Sequence, residues 1–554
     1  MSILFVPEAE AWLSITEATE EHTMNDKMTR GAKAANLLNA AALALLLCIL
    51  IPLALCSMTI FAQLGLDGPY EDSIRFLPER FVPNLLLTAA AIAALLGVRA
   101  LMERLMGVRL TAGMMAAWTA AALVWIVAVG LISETDFGCV VDSAERFAQG
   151  DYELLHWGYF RGSSYQLGIC LVIDTIKRLL PMLNVDIVMQ CLNVLLSVGF
   201  MGMLAAFGQT VLDVSAKTTL LLFVLYLPAF LYNHYVYGTL PMLFFGAAAC
   251  LCFARYLRTK RASLLAVMTL ALALGYVLKP NGIVVTIALL ICGVLHAMET
   301  RDARPALFAL GALLLGYLLN RLVIFQYELR AGFPLDENQS LLTWLVMAIT
   351  PAEHVTPGWY TGYAGVFYDL YLPREEQSAI VMADLSRRLG EMAADPMAAL
   401  LFFKEKILSQ WMEPTVSVMT YGLRCAYEGR FNGLAQTLFR EGAVNDLAIA
   451  CMNLYQQVLY VLACVGTAGV FGKQRDAAAM ALPVIVIGGF LFHTLMEAKS
   501  QYIYPYMVYM MPLAALGLTM LGQTAGRMMK QKGCKEETEH VQTDGDGSGA
   551  PRMD

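Results

Sequence analysis

Five acids fall within nineteen residues of ETDFGCVVDSAERFAQGDY: Glu134, Asp136, Asp142, Glu145 and Asp151. The stretch follows directly on an apolar run, AGMMAAWTAAALVWIVAVGLIS. A carboxylate at the mouth of such a run could take the proton of an acceptor hydroxyl while that hydroxyl attacks an activated carbon, provided it lies within hydrogen-bond reach. Asp136 is the first candidate for this base and Glu134 the second. The alternative for Asp136 is a helix cap. It stands just before a helical stretch, 137–148, and Asp is a preferred capping residue. Asp142 lies six residues on and points to another face at 3.6 residues per turn, so the two acids are not a dyad. Asp151 follows Gly150 and reads as a turn.

Other polar points interrupt apolar surroundings. Lys279 closes a run at LKPNG, either facing a cavity, as ionisable groups within spans do, or snorkelling to an interface. His493 and Glu497 stand four apart, as a metal pair would on one helical face. No third ligand is in view, so a polar cavity wall is the expectation there. The twelve cysteines form no C-x-x-C, and only Cys139 and Cys425 are placed for an external disulfide. No cofactor is expected, and a divalent metal stays open.

The elements that position these residues are membrane helices. The chain is 58% hydrophobic and 15% charged, whereas a soluble chain carries about 25% charge. Its apolar runs fall at 36–62, 83–102, 111–133, 165–181, 185–208, 218–254 (interrupted), 263–278, 282–298, 305–325, 446–471, 479–497 and 502–523. Most approach the length that crosses a hydrocarbon core of roughly 30 Å. Seven apolar pieces lie between the two segments expected outside, where the number of crossings must be even. Fusing 218–254 into one broken unit, with its polar break at Asn233–His234 covered by protein, gives about twelve spans. Asp174, Lys177 and Arg178 would then end the fourth span at the cytoplasmic side.

Basic loops set the orientation. Arg30 and Lys33, Arg99 to Arg109, Arg255 to Arg261, Arg301 to Arg304, Lys473 to Arg475 and the residues after Arg527 belong inside. The expected fold is an all-α polytopic membrane protein of the plasma (cytoplasmic) membrane. Residues 1–33 form a disordered cytosolic leader, and 34–325 form an N-terminal transmembrane module with a first outer loop at 134–164. Residues 326–442 form a large outer loop domain, 443–525 the C-terminal transmembrane helices, and 526–554 a disordered tail. Within the outer loop, DPMAALLFFKEKILSQWMEP repeats apolar residues at helical spacing. Asp395 and then Pro396 mark its start, and the helix is expected to lie on the membrane surface.

Taken together, an outward Asp after a span, FG.....A..F.QGDY, YFRGSSYQLGICLV, YGTLPMLFFGAAACLCFARYLR, GYVLKPNGIVV, the GWY of the outer loop, K....W.EP and EAKSQYIYPYMVYMMPLAALGL resemble the GT-C membrane glycosyltransferases. The nearest in kind are the protein O-mannosyltransferases and lipid A aminoarabinose transferases of family 39, over roughly residues 110–525. The resemblance implies a GT-C-like bundle, a polyprenyl-monophosphate sugar donor and an acceptor hydroxyl on a protein, wall polymer or glycolipid. By position it makes Asp136 the base and Arg161 a contact to the donor phosphate. Lys499 or Lys279 would join Arg161, because Gln501 stands where relatives often carry Arg before Tyr. Glu497, Gln501 and Tyr502 would line the substrate site. Trp359 and Tyr360 could stack on sugar faces, or pack the loop on itself.

Two other classes fit less well. A polysaccharide ligase or polymerase using a lipid diphosphate would rest on basic and histidine residues of the late outer loop. A lipid or sugar carrier would need midplane charges in several spans. The basic residues are explained by topology, and no nucleic-acid partner is expected.

Overall fold

The computed structural model describes residues 30–66, 72–157, 159–335, 340–369, 372–427, 433–471 and 476–545. Among the described residues the regular structure is helical apart from one hairpin. Its principal helices are α1 (Arg30–Ser57), α2 (Phe81–Leu105), α3 (Val108–Val129), α4 (Thr135–Ala148), α5 (Leu167–Leu179), α6 (Val185–Val211), α7 (Ala216–Leu225), α8 (Thr239–Thr259) and α9 (Ala262–Leu278). They continue as α10 (Ile283–Thr300), α11 (Arg304–Ala331), α12 (Leu341–Ile349), α13 (Arg374–Ala394), α14 (Pro396–Trp411), α15 (Ala443–Phe471), α16 (Ala481–Leu495) and α17 (Tyr504–Gly545). Among the described residues, nine helices are long and apolar enough to cross a membrane: α1, α2, α3, α6, α8, α10, α11, α15 and α17. This is a multi-pass membrane protein.

The first apolar run ends earlier than its hydropathy suggests. After α1 stops at Ser57, strands β1 (Ile60–Leu66) and β2 (Asp72–Pro78) pair antiparallel, with Ile60 opposite Pro78 and Leu66 opposite Asp72. The outer edge of β1 is partly used by the body of the protein: Ala62 N donates to the Met412 carbonyl at 3.1 Å, and Thr420 Oγ1 donates to that of Leu64 at 3.3 Å.

The two ends of the bundle are marked by polar contacts. At one end Arg99 bonds Thr218, Lys217 pairs with Glu103, and Lys260 pairs with Asp302. At the other lie the hairpin, the start of α4, the start of α6 and the breaks after α9 and α16. The expected span at 165–181 belongs wholly to this second end. Its helix, α5, has 13 residues, which rise about 20 Å, short of a hydrocarbon core. Asp174 therefore does not end a span at the opposite side of the bundle. It is buried and receives Arg178 Nε at 2.6 Å and Arg330 Nη1 at 2.7 Å, while Arg178 also bonds the Phe147 carbonyl at the end of α4.

The interrupted run 218–254 is two elements, not one. α7 and the segment Leu227–His234 meet at 73°, and α8 follows as a separate helix. The bend falls at Tyr226, which is extended ahead of Leu227–Pro228. The polar break is covered by protein as expected. Asn193 Nδ2 donates to the carbonyls of Asn233 at 3.1 Å and Tyr235 at 2.9 Å, and His234 Nδ1 meets Gln190 Oε1 at 2.7 Å.

The segment between α11 and α15 carries its own small core of Val346, Phe367 and Val381. α14 starts as its sequence says, with Asp395 accepting from Ala398 N at 3.0 Å and Pro396 in the first turn. α17 continues to Gly545, through most of the tail expected to be disordered. The leader up to residue 29 and the Cys425 side chain lie outside the described residues.

Candidate functional site

Asp136 sits in the first turn of α4, with its side chain exposed. Glu134 takes the cap position and makes no side-chain cap bond there. The helix thus begins two residues earlier than the spacing suggested, and Asp136 is not its cap. An anion in the first turn still complements the helix dipole.

The turn into α4 is held from behind. Thr135 adopts φ 56°, a left-handed conformation that β-branched residues rarely take. Such strain persists only where surroundings over-determine it. Here Ser133 donates both its N–H and its Oγ (2.8 Å) to the buried Asp186, and Gln190 Nε2 donates to the Leu131 carbonyl at 2.8 Å. Asp186, Gln190, Asn193 and Ser197 form one polar stripe along α6. Through Asn193 and Gln190 the same stripe fixes the 233–235 segment, and so places Tyr237 beside the start of α4.

Aromatic packing completes that register. The Phe137 ring meets Tyr235 and Tyr237 edge-on at 4.8 Å and Tyr421 at 5.0 Å. Tyr232 stacks on Tyr235 at 4.3 Å and on Tyr504 at 3.9 Å. Such ring pairs add about 0.5–1.5 kcal/mol each beyond area burial, so this end of the bundle is stiff.

Lys279 is delivered by the break between α9 and α10. Pro280 disfavours the helical region for the residue before it, and Lys279 is extended at φ −155° and ψ 114°. Gly238 lets the chain after Tyr237 approach this break. It has φ +81°, and a Cβ there would stand 2.2 Å from the Leu278 carbonyl oxygen. The Lys279 ammonium lies 3.5 Å from the centre of the Tyr237 ring, and the Tyr237 hydroxyl is bonded to that of Tyr159.

The break after α16 supplies the other wall. α16 ends at Leu495, so His493 and Glu497 do not share a helical face. His493 instead stacks on Tyr502 at 5.5 Å and meets the Tyr506 hydroxyl at 3.3 Å. The Tyr502 hydroxyl donates to Glu497 at 3.5 Å. Lys499 pairs with Asp72 at 3.4 Å. Burial drives the Glu497 carboxyl up to about 7, against the opposing pull of Lys499. Burial, joined by the nearby acids, holds the Tyr159 and Tyr502 phenols well above their ordinary range, so both remain hydroxyl donors.

These pieces share one electrostatic field. Asp136 acts on Lys279, Glu497, Tyr159, Tyr237 and Tyr502, and Lys499 acts on Lys279 and Glu497. Four of the expected site residues, Asp136, Lys279, Glu497 and Lys499, are therefore neighbours although 363 positions separate the first from the last. Tyr502 joins them. Gln501 is buried, and its carbonyl accepts from the Tyr232 hydroxyl at 3.3 Å. The backbone of Arg161 lies in the short helix Phe160–Ser163, and its side chain is outside the described residues.

The GWY turn docks on the same wall. Ala498 N donates to the Gly358 carbonyl at 2.8 Å. Gly358 has φ +80°, and a Cβ there would meet the Lys406 chain at 2.5 Å. Trp359 is not an open sugar platform. It is 2% exposed and donates Nε1–H to Ser409 Oγ at 3.0 Å. Tyr360 is 49% exposed.

Several residues at this end were not singled out in the sequence. Asp186 and Gln190 carried a usable signal, a polar stripe at steps of 4, 3 and 4 along an apolar run. Tyr159, Tyr237, Asp72 and Arg424 carried none, because only the fold brings them together. Among the described residues no group of three or more His, Cys, Asp or Glu side chains is placed to hold a metal.

No known protein-family model matches this chain, and no curated protein matches it in sequence.

Proposed function

We propose that this chain is a GT-C-type glycosyltransferase that moves a sugar from a polyprenyl-monophosphate donor to an acceptor hydroxyl on the outer face of the cytoplasmic membrane. The observation that carries this reading is the exposed Asp136 carboxylate within the field of Lys279, with Lys499 beside Glu497 in the same cluster and the two lysines coming from separate breaks in the bundle. Asp136 takes the proton of the acceptor hydroxyl. The oxygen attacks the anomeric carbon, and the bond from that carbon to the phosphate oxygen breaks with its electron pair leaving on the phosphate. A single displacement inverts the anomeric centre. Lys279 and Lys499 hold the departing phosphate, as charge-assisted bonds to phosphate are strong. Tyr502 and Glu497 flank the sugar, and Tyr360 faces the acceptor side.

Topology supports the same reading. In this reading the nine long helices of the described residues cross together with the bent pair and the two shorter apolar helices α9 and α16, twelve crossings in all. That number returns both termini to one face, and the basic loops put that face in the cytoplasm. Asp136 then opens outward, where a lipid-linked donor can enter laterally.

The test uses the full chain in lipid nanodiscs with matched radiolabelled polyprenyl-monophosphate and polyprenyl-diphosphate sugars. Label should pass to an acceptor hydroxyl from the monophosphate donors. Transfer from diphosphate donors alone would establish the ligase or polymerase class instead.

A further inference from the structure

The hairpin presents one carboxylate, Asp72, to the candidate site from outside the bundle. Its Oδ2 lies 3.4 Å from Lys499 Nζ, and its Oδ1 accepts from the Arg424 guanidinium. All three side chains are largely covered, at 16% for Asp72, 22% for Lys499 and 11% for Arg424. They come from three distant parts of the chain: β2, the break after α16 and the short helix Val418–Tyr427.

Two oxygens of one anion, each on its own cation, is also how Lys and Arg hold a phosphate. Lys499 is the same lysine that acts on Glu497 beside Asp136. A donor phosphate arriving there meets cations already matched by Asp72. Burying a further anion without a free partner is costly, so the phosphate and Asp72 compete. β1 is anchored in the core through Ala62, which also bonds the Met412 carbonyl, so the part of the hairpin that can yield is β2, which carries Asp72. Isolated two-stranded hairpins are marginally stable, and the side chains from Phe76 to Pro78 are exposed.

Resting on the glycosyltransferase reading above, we propose that Asp72 occupies the place of the donor phosphate in the empty protein, and that Arg424 is a further phosphate ligand freed when the hairpin carboxylate gives way. Asp72 is then a built-in competitor that sets donor affinity, and β2 is the moving part of the donor entrance.

The experiment measures binding of polyprenyl monophosphate, with the matching polyprenyl alcohol as control, to the full chain in nanodiscs. Asp72→Asn should bind the phosphate at least fivefold tighter than wild type, with no change for the alcohol. Arg424→Gln should bind it about tenfold more weakly, and the double variant should follow Arg424→Gln. A gain of binding cannot come from misfolding, so Asp72→Asn decides. Phosphate-selective binding by wild type that is unchanged or weakened in Asp72→Asn would overturn this inference and leave the glycosyltransferase reading standing. No phosphate-selective binding by wild type or by Asp72→Asn would overturn both.

Discussion

The Lys279 ammonium stands 3.5 Å above the Tyr237 ring, in the break between two helices and within the field of Asp136. A ring face holds a cation without consuming its N–H donors, so the ammonium stays free to grip a phosphate. Such contacts are worth about 0.5–2 kcal/mol. Tyr237→Leu should therefore weaken donor binding by roughly two- to thirtyfold, since 1.4 kcal/mol is tenfold. Tyr237→Phe keeps the ring and should retain most of the affinity. Titration of donor lipid into nanodiscs reads both.

Donor binding should also depend on pH through Glu497. Burial holds its carboxyl up at about 7, above its ordinary range. The neutral acid is thus favoured in the folded state below that value, and the charge appears as pH rises through it. Linkage gives the sign for stability as well: folding loses the advantage of the neutral acid as pH climbs from about 4.3, the unfolded value, through the folded value. The new charge sits near Asp136, with Lys279, Lys499 and Tyr502 around it, and in the proposed reaction it lies beside the donor phosphate. Affinity for donor should fall between pH 6 and 8.5, and Glu497→Gln should flatten that fall. A profile equally steep in the variant would place the titrating group elsewhere.

In the proposed reaction Asp186 positions Asp136 and does not itself touch substrate. It holds Ser133 through two hydrogen bonds immediately before the strained Thr135. Asp186→Ala leaves buried donors unpaired and should cost about 1–3 kcal/mol of stability. Its kinetic mark should be a drop in kcat with donor KM little changed, because the base is displaced while the lysines stay. An equal effect on both constants would argue for a merely structural loss.

The two aromatics of the GWY turn should separate cleanly. Trp359→Phe removes the bond to Ser409 and should lower stability by about 0.5–1.5 kcal/mol, with acceptor KM unaffected. Tyr360→Ala should leave the melting temperature nearly unchanged and raise acceptor KM. Thermal unfolding alongside acceptor titration distinguishes them.

Much of this arrangement was legible in the chain, and the misses have physical causes. Apolar length shows a span, but not whether a shorter apolar stretch crosses. α5 looked like a span until Asp174, Arg178 and Arg330 tied it to one end of the bundle. Hydropathy ran past Ser57 because the strand Ile60–Leu66 is itself apolar, so the hairpin and Asp72 went unseen. Lys279 and Glu497 were visible because charge within or beside apolar runs is rare, and Lys499 entered through the resemblance alone. Arg424 sits in the short helix Val418–Tyr427 of the segment expected as an outer loop, where charge is ordinary and carries no such signal. Trp359 illustrates the limit for single aromatics: its type suits a sugar face, and its neighbour Ser409 decides otherwise.

The central claim is that Asp136 is the base of a sugar transfer, and one measurement tests it most directly. Transfer from the cognate polyprenyl-phosphate sugar is timed in nanodiscs for wild type and Asp136→Asn, with donor binding and melting temperature measured on the same samples. Loss of a general base should slow transfer about 10²–10⁴-fold, while binding and stability hold. Full transfer by Asp136→Asn would contradict the account and reduce the carboxylate to an anion favouring the first turn of its helix.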